Sequence, residues 1–290
     1  MKKYLKLIRI KHWLKNLLVF LPLFFSLKIT NYVSLIIVLL GFVSFSIVSS
    51  IVYIFNDIND LEVDKLHPIK KNRPLASGAI SVKRAYSIIV LLFIIFIMNS
   101  TILFIRCDSV FVFLIPIIYI VLNLFYSKIL KKIPIIDVCV IVIGFLLRVM
   151  FGGLILNINV SKWLYLMIIF GSFYLGFGKR RNEIIKNGEK SRNVLKYYNK
   201  DFLDKNMYVA LTLAMVSYSL WTVDLTTVVK SCGDYIFWTI PLVLIIFQLY
   251  SLNIEGNSHG DPIEVILSDK ILLSIIIFYM IILVLLFYIL

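Results

Sequence analysis

Six oxygen-bearing side chains stand close together in the run Asn56-Asp57-Ile58-Asn59-Asp60-Leu61-Glu62-Val63-Asp64. On a helix, positions 57, 60 and 64 fall at i, i+3 and i+7, so three carboxylates share one face, and Asn56, four before Asp60, joins its edge. Like charges placed this way repel, and at the end of an apolar, membrane-like stretch an isolated charge costs more still. A divalent cation removes both costs. Hard oxygen donors suit Mg²⁺, which keeps several waters and also takes phosphate oxygens from a substrate. An ordinary solvated acidic loop is the alternative, in a chain with only 16 acids among 290 residues.

Cations come directly after. His67-Pro68-Ile69-Lys70-Lys71-Asn72-Arg73-Pro74-Leu75-Ala76-Ser77-Gly78 reads as a structured loop. Its Lys70, Lys71 and Arg73 could neutralise phosphates, although a cytoplasmic loop of a membrane protein collects cations for its own reasons. His67 has no visible partner and makes a poor candidate base. Further on come Tyr126-Ser127-Lys128-Ile129-Leu130-Lys131-Lys132 and then Asp137. Arg148 lies three helical turns beyond Asp137, about 16 Å along the same helix, too far for direct contact. An arginine set between Leu147 and Val149 must face a bundle interior or a polar cavity. The cluster Gly178-Lys179-Arg180-Arg181-Asn182-Glu183 suits either anionic lipid headgroups or a phosphorylated substrate. The carboxylates of Asp261 to Asp269 suit a cap or a site edge equally. No Walker loop, G-x-S-x-G, H-E-x-x-H or nucleophile–base pair occurs. Cys107, Cys139 and Cys232 have neither disulfide nor zinc spacing.

The elements that must position these residues are apolar. The chain is 61% hydrophobic with a net charge of +14 and a mean hydropathy of +0.96. A soluble globule is excluded, as is a disordered chain. Nine runs approach the roughly 20 residues a spanning helix needs, at 13–28, 32–55, 85–105, 109–126, 134–156, 162–178, 207–227, 235–252 and 271–290. The first, short and containing Pro22, could pass for a signal peptide, but it lacks an A-x-A-like cleavage site and a retained helix is expected. Segments 1–15, 56–84, 127–133, 179–206 and 253–270 together carry 25 Lys/Arg, against 4 in the alternate connections. The expected architecture is therefore an all-α, nine-helix membrane bundle forming a single domain over 1–290. Its N-terminus is cytoplasmic and its C-terminus outside. Of the 16 acids, 13 fall on the cytoplasmic side, which places the chemistry there. Positive-inside bias explains the basic balance without a nucleic-acid partner.

The N-D-x-x-D-x-x-x-D run of 56–64 and the Lys-Asn-Arg-Pro loop after it resemble the first signature of the UbiA-type intramembrane prenyltransferase superfamily. Within it, the chain is most similar to the decaprenyl-phosphate phosphoribosyltransferases. The matching blocks are Arg9 with Trp13-Leu14-Lys15-Asn16-Leu17-Leu18-Val19-Phe20, then Tyr53-Ile54-Phe55-Asn56-Asp57 through Gly78. They continue with Tyr126-Ser127, Leu130-Lys131, Asp137-Val138, Gly144-Phe145, Arg148, Gly152-Gly153, Gly178-Lys179-Arg180 and Asp261–Asp269. One departure is informative: aromatic-acceptor members usually carry a second D-x-x-x-D, whereas here Asp137 is followed at +4 by Ile141.

The resemblance implies a nine-helix bundle in the plasma membrane with a cytoplasm-facing site. It implies phosphoribosyl pyrophosphate as donor, polyprenyl phosphate as acceptor and Mg²⁺ as cofactor. On that basis Asn56, Asp57, Asp60 and Asp64 are expected to hold Mg²⁺ on the donor's pyrophosphate. Arg73, Lys131, Lys179 and Arg180 are expected to bind the donor's 5-phosphate or the lipid phosphate. Tyr126, Asp137 and Arg148 would line the site and order the ribose hydroxyls, and Lys15 and Asn16 would close it. The runner-up is a prenyltransferase moving an isoprenoid from its diphosphate to a small aromatic acceptor. A lipid or small-molecule transporter is a minor alternative, since it would place charges at the midplane in matching halves. A homo-oligomer is left open.

Overall fold

A computed structural model describes residues 2–66, 70–187, 193–256 and 262–289. Among the described residues there are thirteen α-helices and no strand. In chain order they are α1 (Lys2–Leu7), α2 (Leu21–Phe25), α3 (Tyr32–Asn59), α4 (Leu61–Leu66), α5 (Val82–Cys107), α6 (Phe111–Lys128), α7 (Ile136–Ile155), α8 (Lys162–Asn187), α9 (Lys200–Val223), α10 (Leu225–Val228), α11 (Ile240–Glu255), α12 (Pro262–Ser268) and α13 (Lys270–Val284). Among the described residues six segments are long and apolar enough to cross a membrane: α3, α5, α6, α7, Gly233–Glu255 and Lys270–Ile289. The chain is thus a multi-pass helical membrane protein. The expected spans at 162–178 and 207–227 fall in α8 and α9, which are long but carry more polar residues.

The chain divides into two compact units, one of Met1–Phe24, Lys28–Ile129 and Leu147–Asn159, the other of Phe25–Leu27, Leu130–Leu146 and Val160–Leu290. In the first unit α3 is the central helix, packed on α5, α6 and a 3₁₀ segment, Ile10–Phe20. A helix with neighbours on several sides must be apolar nearly all round, and α3 buries Val38, Phe45, Val48, Ile51 and Val52 in succession. By contrast α5 buries Ala85, Phe96, Ser100 and Leu103, a single stripe. Its opposite face exposes Val90, Leu91, Ile94, Met98 and Ile105, apolar surface of the kind that meets lipid. Small polar groups tie the two helices: Asn99 donates to the Leu40 carbonyl at 2.9 Å and to Ser44 at 2.7 Å, and Ser44 meets Ser100 at 3.1 Å. Such bonds substitute for the hydrophobic drive that lipid removes.

The expected first helix, 13–28, takes another form. Residues 10–20 wind as 3₁₀ and a short α2 begins at Leu21. Pro22 is tolerated because it sits in the first turn, where an N–H is unpaired in any case. Runs of 3₁₀ this long are uncommon, and side-chain bonds to α3 hold this one: Trp13 to Ser50 at 3.0 Å and Asn16 to Ser46 at 3.0 Å. Gly152 of α7 fits against it, since a Cβ there would stand 2.1 Å from the Val19 carbonyl oxygen.

In the second unit α8 and α9 pack along one another, with α11, α12 and α13 joining through their own contacts. Tyr174, Leu203, Met207, Tyr250, Ile254, Val265 and Leu272 form its core with Val138 and Val142 from the start of α7. Asp269 caps α13, accepting from the amides of Ile271 and Leu272 at 2.8 and 3.1 Å. It also accepts from Asn253 of α11 at 2.6 Å.

Candidate active site

The acid run sits where α3 ends. The helix stops at Asn59 and α4 starts at Leu61, yet helical hydrogen bonds continue through the corner, from Asp60 N to Asn56 O at 2.9 Å and from Asp64 N to Asp60 O at 2.8 Å. Of the three carboxylates expected on one face, Asp57 and Asp64 come together, whereas Asp60, at the break in the helix, is half-buried. Asp57 and Asp64 are both buried, and one cation joins them: Arg73 Nη1 donates to Asp57 Oδ1 at 3.1 Å and to Asp64 Oδ2 at 2.5 Å. Arg9 donates to the same Asp57 oxygen, with its guanidinium over the Tyr53 ring at 4.8 Å. Arg9 itself takes a left-handed backbone conformation, φ 53, which turns the chain between α1 and the 3₁₀ segment.

The loop that supplies Arg73 is well anchored. Leu75 and Ile80 are buried with Leu7, Ile54 and Ala85. Ile80 N bonds Pro74 O at 3.0 Å. Gly78 takes φ 73, which a residue with a Cβ rarely adopts. His67 lies outside the described residues.

Among the described residues no three His, Cys, Asp or Glu gather closely enough to form a metal cage by themselves. The donor set nonetheless fits a hard cation. Asn56 Oδ1 is buried with no hydrogen-bond partner, a neutral acceptor on the residue before buried Asp57. Mg²⁺ bound through one or two carboxylates, waters and substrate phosphate needs no full protein cage.

A second polar centre in the same unit surrounds Arg148, buried within α7. Its Nε donates to Asn16 Oδ1 at 2.8 Å and its Nη2 to the Tyr119 hydroxyl at 3.2 Å. The guanidinium lies 5.0 Å from the Phe45 ring centroid and 4.9 Å from that of Tyr119, two adjoining rings whose cation–π contacts help offset burial of the charge. Asn16 is fully buried, whereas Lys15 next to it is half-buried.

The third centre belongs to the other unit. Asp137 and Arg180 are both buried and bonded, Arg180 Nε to Asp137 Oδ2 at 2.6 Å, and Arg180 Nη1 also reaches Glu183 Oε2 at 2.8 Å. The Tyr198 hydroxyl donates to Asp137 Oδ1 at 2.7 Å and accepts from Ile135 N at 2.5 Å. Ile135 has φ 69, a strained setting for a β-branched residue, and this bond helps hold it. Burial, and then the bond to Asp137, push the Tyr198 phenol well above its usual pKa, so it stays a protonated donor at neutral pH. Arg181 pairs with Asp204.

The structure thus brings Asp57, Asp64 and Arg73 together, joins Asn16 to Arg148, and joins Asp137 to Arg180. Tyr126 near the end of α6, Lys131 in the 3₁₀ turn Leu130–Lys132 and Lys179 within α8 are half-buried. The partners that spacing could not reveal are Arg9, Tyr119 and Tyr198; only Arg9 stood within a family-like block.

These features define a helical membrane protein with an acid–arginine cluster at the end of a buried helix. The UbiA prenyltransferase family matches residues 17–267, and the chain belongs to that family of transferases. A decaprenyl-phosphate phosphoribosyltransferase of Corynebacterium glutamicum is 35% identical over 274 residues, 92% of this chain and 81% of that protein. Its namesake in Mycolicibacterium smegmatis is 31% identical over 287 residues, 92% and 87% of the two chains. In fold, a UbiA homologue of Archaeoglobus fulgidus bound to GPP and Mg²⁺ superposes with a TM-score of 0.71 at 20% identity, over 97% of this chain and 99% of that one.

Proposed function

We propose that this enzyme transfers 5-phosphoribose from phosphoribosyl pyrophosphate to a polyprenyl phosphate of the decaprenyl type, releasing pyrophosphate. The observation that carries the reading is the 35% identity over 92% of the chain with a decaprenyl-phosphate phosphoribosyltransferase. In the reaction an oxygen of the lipid phosphate attacks C1 of the ribose while the C1–O bond to pyrophosphate breaks. The carbon gains positive charge as the bond opens, as glycosyl centres do. The acceptor is a phosphate monoester with a second pKa of ~6, ionised at neutral pH, so its attack needs no histidine base.

Asn56, Asp57, Asp60 and Asp64 would hold Mg²⁺, which when bound supplies charge neutralisation for the departing pyrophosphate. Arg9 orients Asp57 from behind, and Arg73 stands at the rim to receive a phosphate. Arg148, through Asn16, fixes the 3₁₀ segment that carries Lys15. In the second unit Lys131 and Lys179 are the candidates for a substrate phosphate, and in the first unit Tyr126 is the candidate for a ribose hydroxyl. Asp137 and Arg180, each answered by a buried partner, hold the start of α7 to α8.

The chain is read as one transferase domain over 1–290, and a single family match from 17 to 267 supports this. It would cross the plasma membrane nine times, N-terminus and acid cluster facing the cytoplasm and C-terminus outside. The 25-to-4 division of Lys/Arg between alternate connections supports that orientation.

The test is a donor assay on the purified full chain in detergent with Mg²⁺, polyprenyl phosphate and radiolabelled phosphoribosyl pyrophosphate. Label should pass to the organic phase and vanish with EDTA, and Asp60→Ala should lower the rate at least ~100-fold. No label beside an active control enzyme would turn the reading to prenyl diphosphates and aromatic acceptors. A near-normal Asp60→Ala rate would sink the metal assignment alone.

A further inference from the structure

Asp57 and Asp64 are asked to serve two cations. The carboxylate oxygens proposed to take a metal are the ones Arg73 already bridges, at 3.1 and 2.5 Å through a single nitrogen. Both carboxylates are 3% exposed, whereas Arg73 is 30% exposed. The acids belong to the packed interior and the guanidinium reaches them from the rim. Arg9 shares the Asp57 oxygen, but it is stacked on Tyr53 and fixed by its own left-handed turn. Of the two arginines, Arg73 is therefore the one that can exchange.

The charge balance decides between the two cations. Asp57 and Asp64 against the two guanidiniums are neutral as they stand, and Asp60 adds one negative charge, still short of the two a divalent ion carries. A divalent ion added to that quartet would face Arg73 across the shared oxygens, and in a site of reduced dielectric such repulsion is strong. A diphosphate relieves it, because its oxygens bind a guanidinium bidentately and at least as well as a carboxylate does.

We propose that Arg73 and the divalent cation compete for the Asp57–Asp64 pair, so that the metal is held weakly until a diphosphate-bearing substrate draws Arg73 onto its phosphate oxygens. Metal and donor then bind with positive coupling, each favouring the other to the same degree. Buried Asn56 Oδ1, with no hydrogen-bond partner, gives the incoming cation a neutral ligand for which Arg73 does not compete. The inference rests on the reading that this acid cluster holds Mg²⁺.

The experiment titrates Mn²⁺ into the purified full chain in detergent without donor, reading free Mn²⁺ by electron paramagnetic resonance. Wild type, Arg73→Gln, Arg73→Lys and Asp64→Asn are compared. Removing the competing charge should tighten Mn²⁺ binding about tenfold in Arg73→Gln. A merely structural arginine predicts the opposite sign, since its loss would let the two acids repel and spread. Arg73→Lys covers the case in which Arg73→Gln does not fold. An ammonium lacks the planar fork and holds the pair less firmly, so binding should tighten by a smaller factor.

Equal or weaker Mn²⁺ binding in the Arg73 variants, with weaker binding in Asp64→Asn, would overturn the competition and leave the metal site standing. Unchanged binding in Asp64→Asn would remove the metal site, and the inference with it.

Discussion

Burying a charge inside a membrane protein demands an answering group, and the Asp137–Arg180 pair makes the demand measurable. Arg180 has two acids, Asp137 at 2.6 Å and Glu183 at 2.8 Å. Asp137 has Arg180 as its cation and Tyr198 as a neutral donor. The two truncations should therefore differ. Arg180→Gln leaves a fully buried carboxylate facing only neutral donors, and breaking a buried pair this way costs about 3–5 kcal/mol. Asp137→Asn leaves Arg180 with Glu183 and should cost less, and the double variant should be milder than Arg180→Gln alone. Thermal unfolding in detergent gives the ranking; Asp137→Asn as harmful as Arg180→Gln would show that Glu183 does not compensate. The Tyr198 phenol has its folded pKa raised, so its contribution to stability is fully present at neutral pH and is lost only as pH climbs past the ordinary tyrosine value of about 10.

At the scale of elements, one glycine sets how closely α7 approaches the 3₁₀ segment. A methyl group at Gly152 would meet the Val19 carbonyl oxygen at 2.1 Å, and a backbone atom cannot step aside as a flexible side chain can. Gly152→Ala should cost about 1–3 kcal/mol as overpacking and loosen the Asn16–Arg148 bond above it. Gly171 of α8 is the control, because a Cβ there meets nothing within 4 Å. Gly171→Ala should be neutral or stabilising by up to about 1 kcal/mol through helix propensity. Equal melting temperatures for the two variants would refute the packing argument.

These elements also mark what was legible in the sequence. Spacing alone brought Asp57 and Asp64 to one face, because their geometry is local to a short stretch of chain. The cage around Arg148 was not legible, since Asn16 stands 132 residues away and a tyrosine inside an apolar helix carries no mark of its role. The 3₁₀ winding of residues 10–20 escaped for the same reason. It depends on Ser46 and Ser50 of another helix, which in the sequence look like ordinary small membrane residues.

For the whole molecule, orientation can be argued from charge and tested apart from chemistry. Among the described residues six helical segments are clear spans, and the N-terminal segment, α8 and α9 are not among them. With 25 of 30 Lys/Arg on the connections that include 56–84, the cluster is expected in the cytoplasm. That is also the only side on which an ionised sugar diphosphate made inside the cell could reach it, since such charge does not cross hydrocarbon. Cys107, Cys139 and Cys232 would be replaced by alanine and single cysteines introduced at the exposed positions Glu62 and Lys230. In intact spheroplasts a membrane-impermeant maleimide should label Lys230→Cys and spare Glu62→Cys, with both labelled after permeabilisation. Labelling of Glu62→Cys from outside would reverse the orientation and leave the acid cluster on the side where its proposed donor is absent.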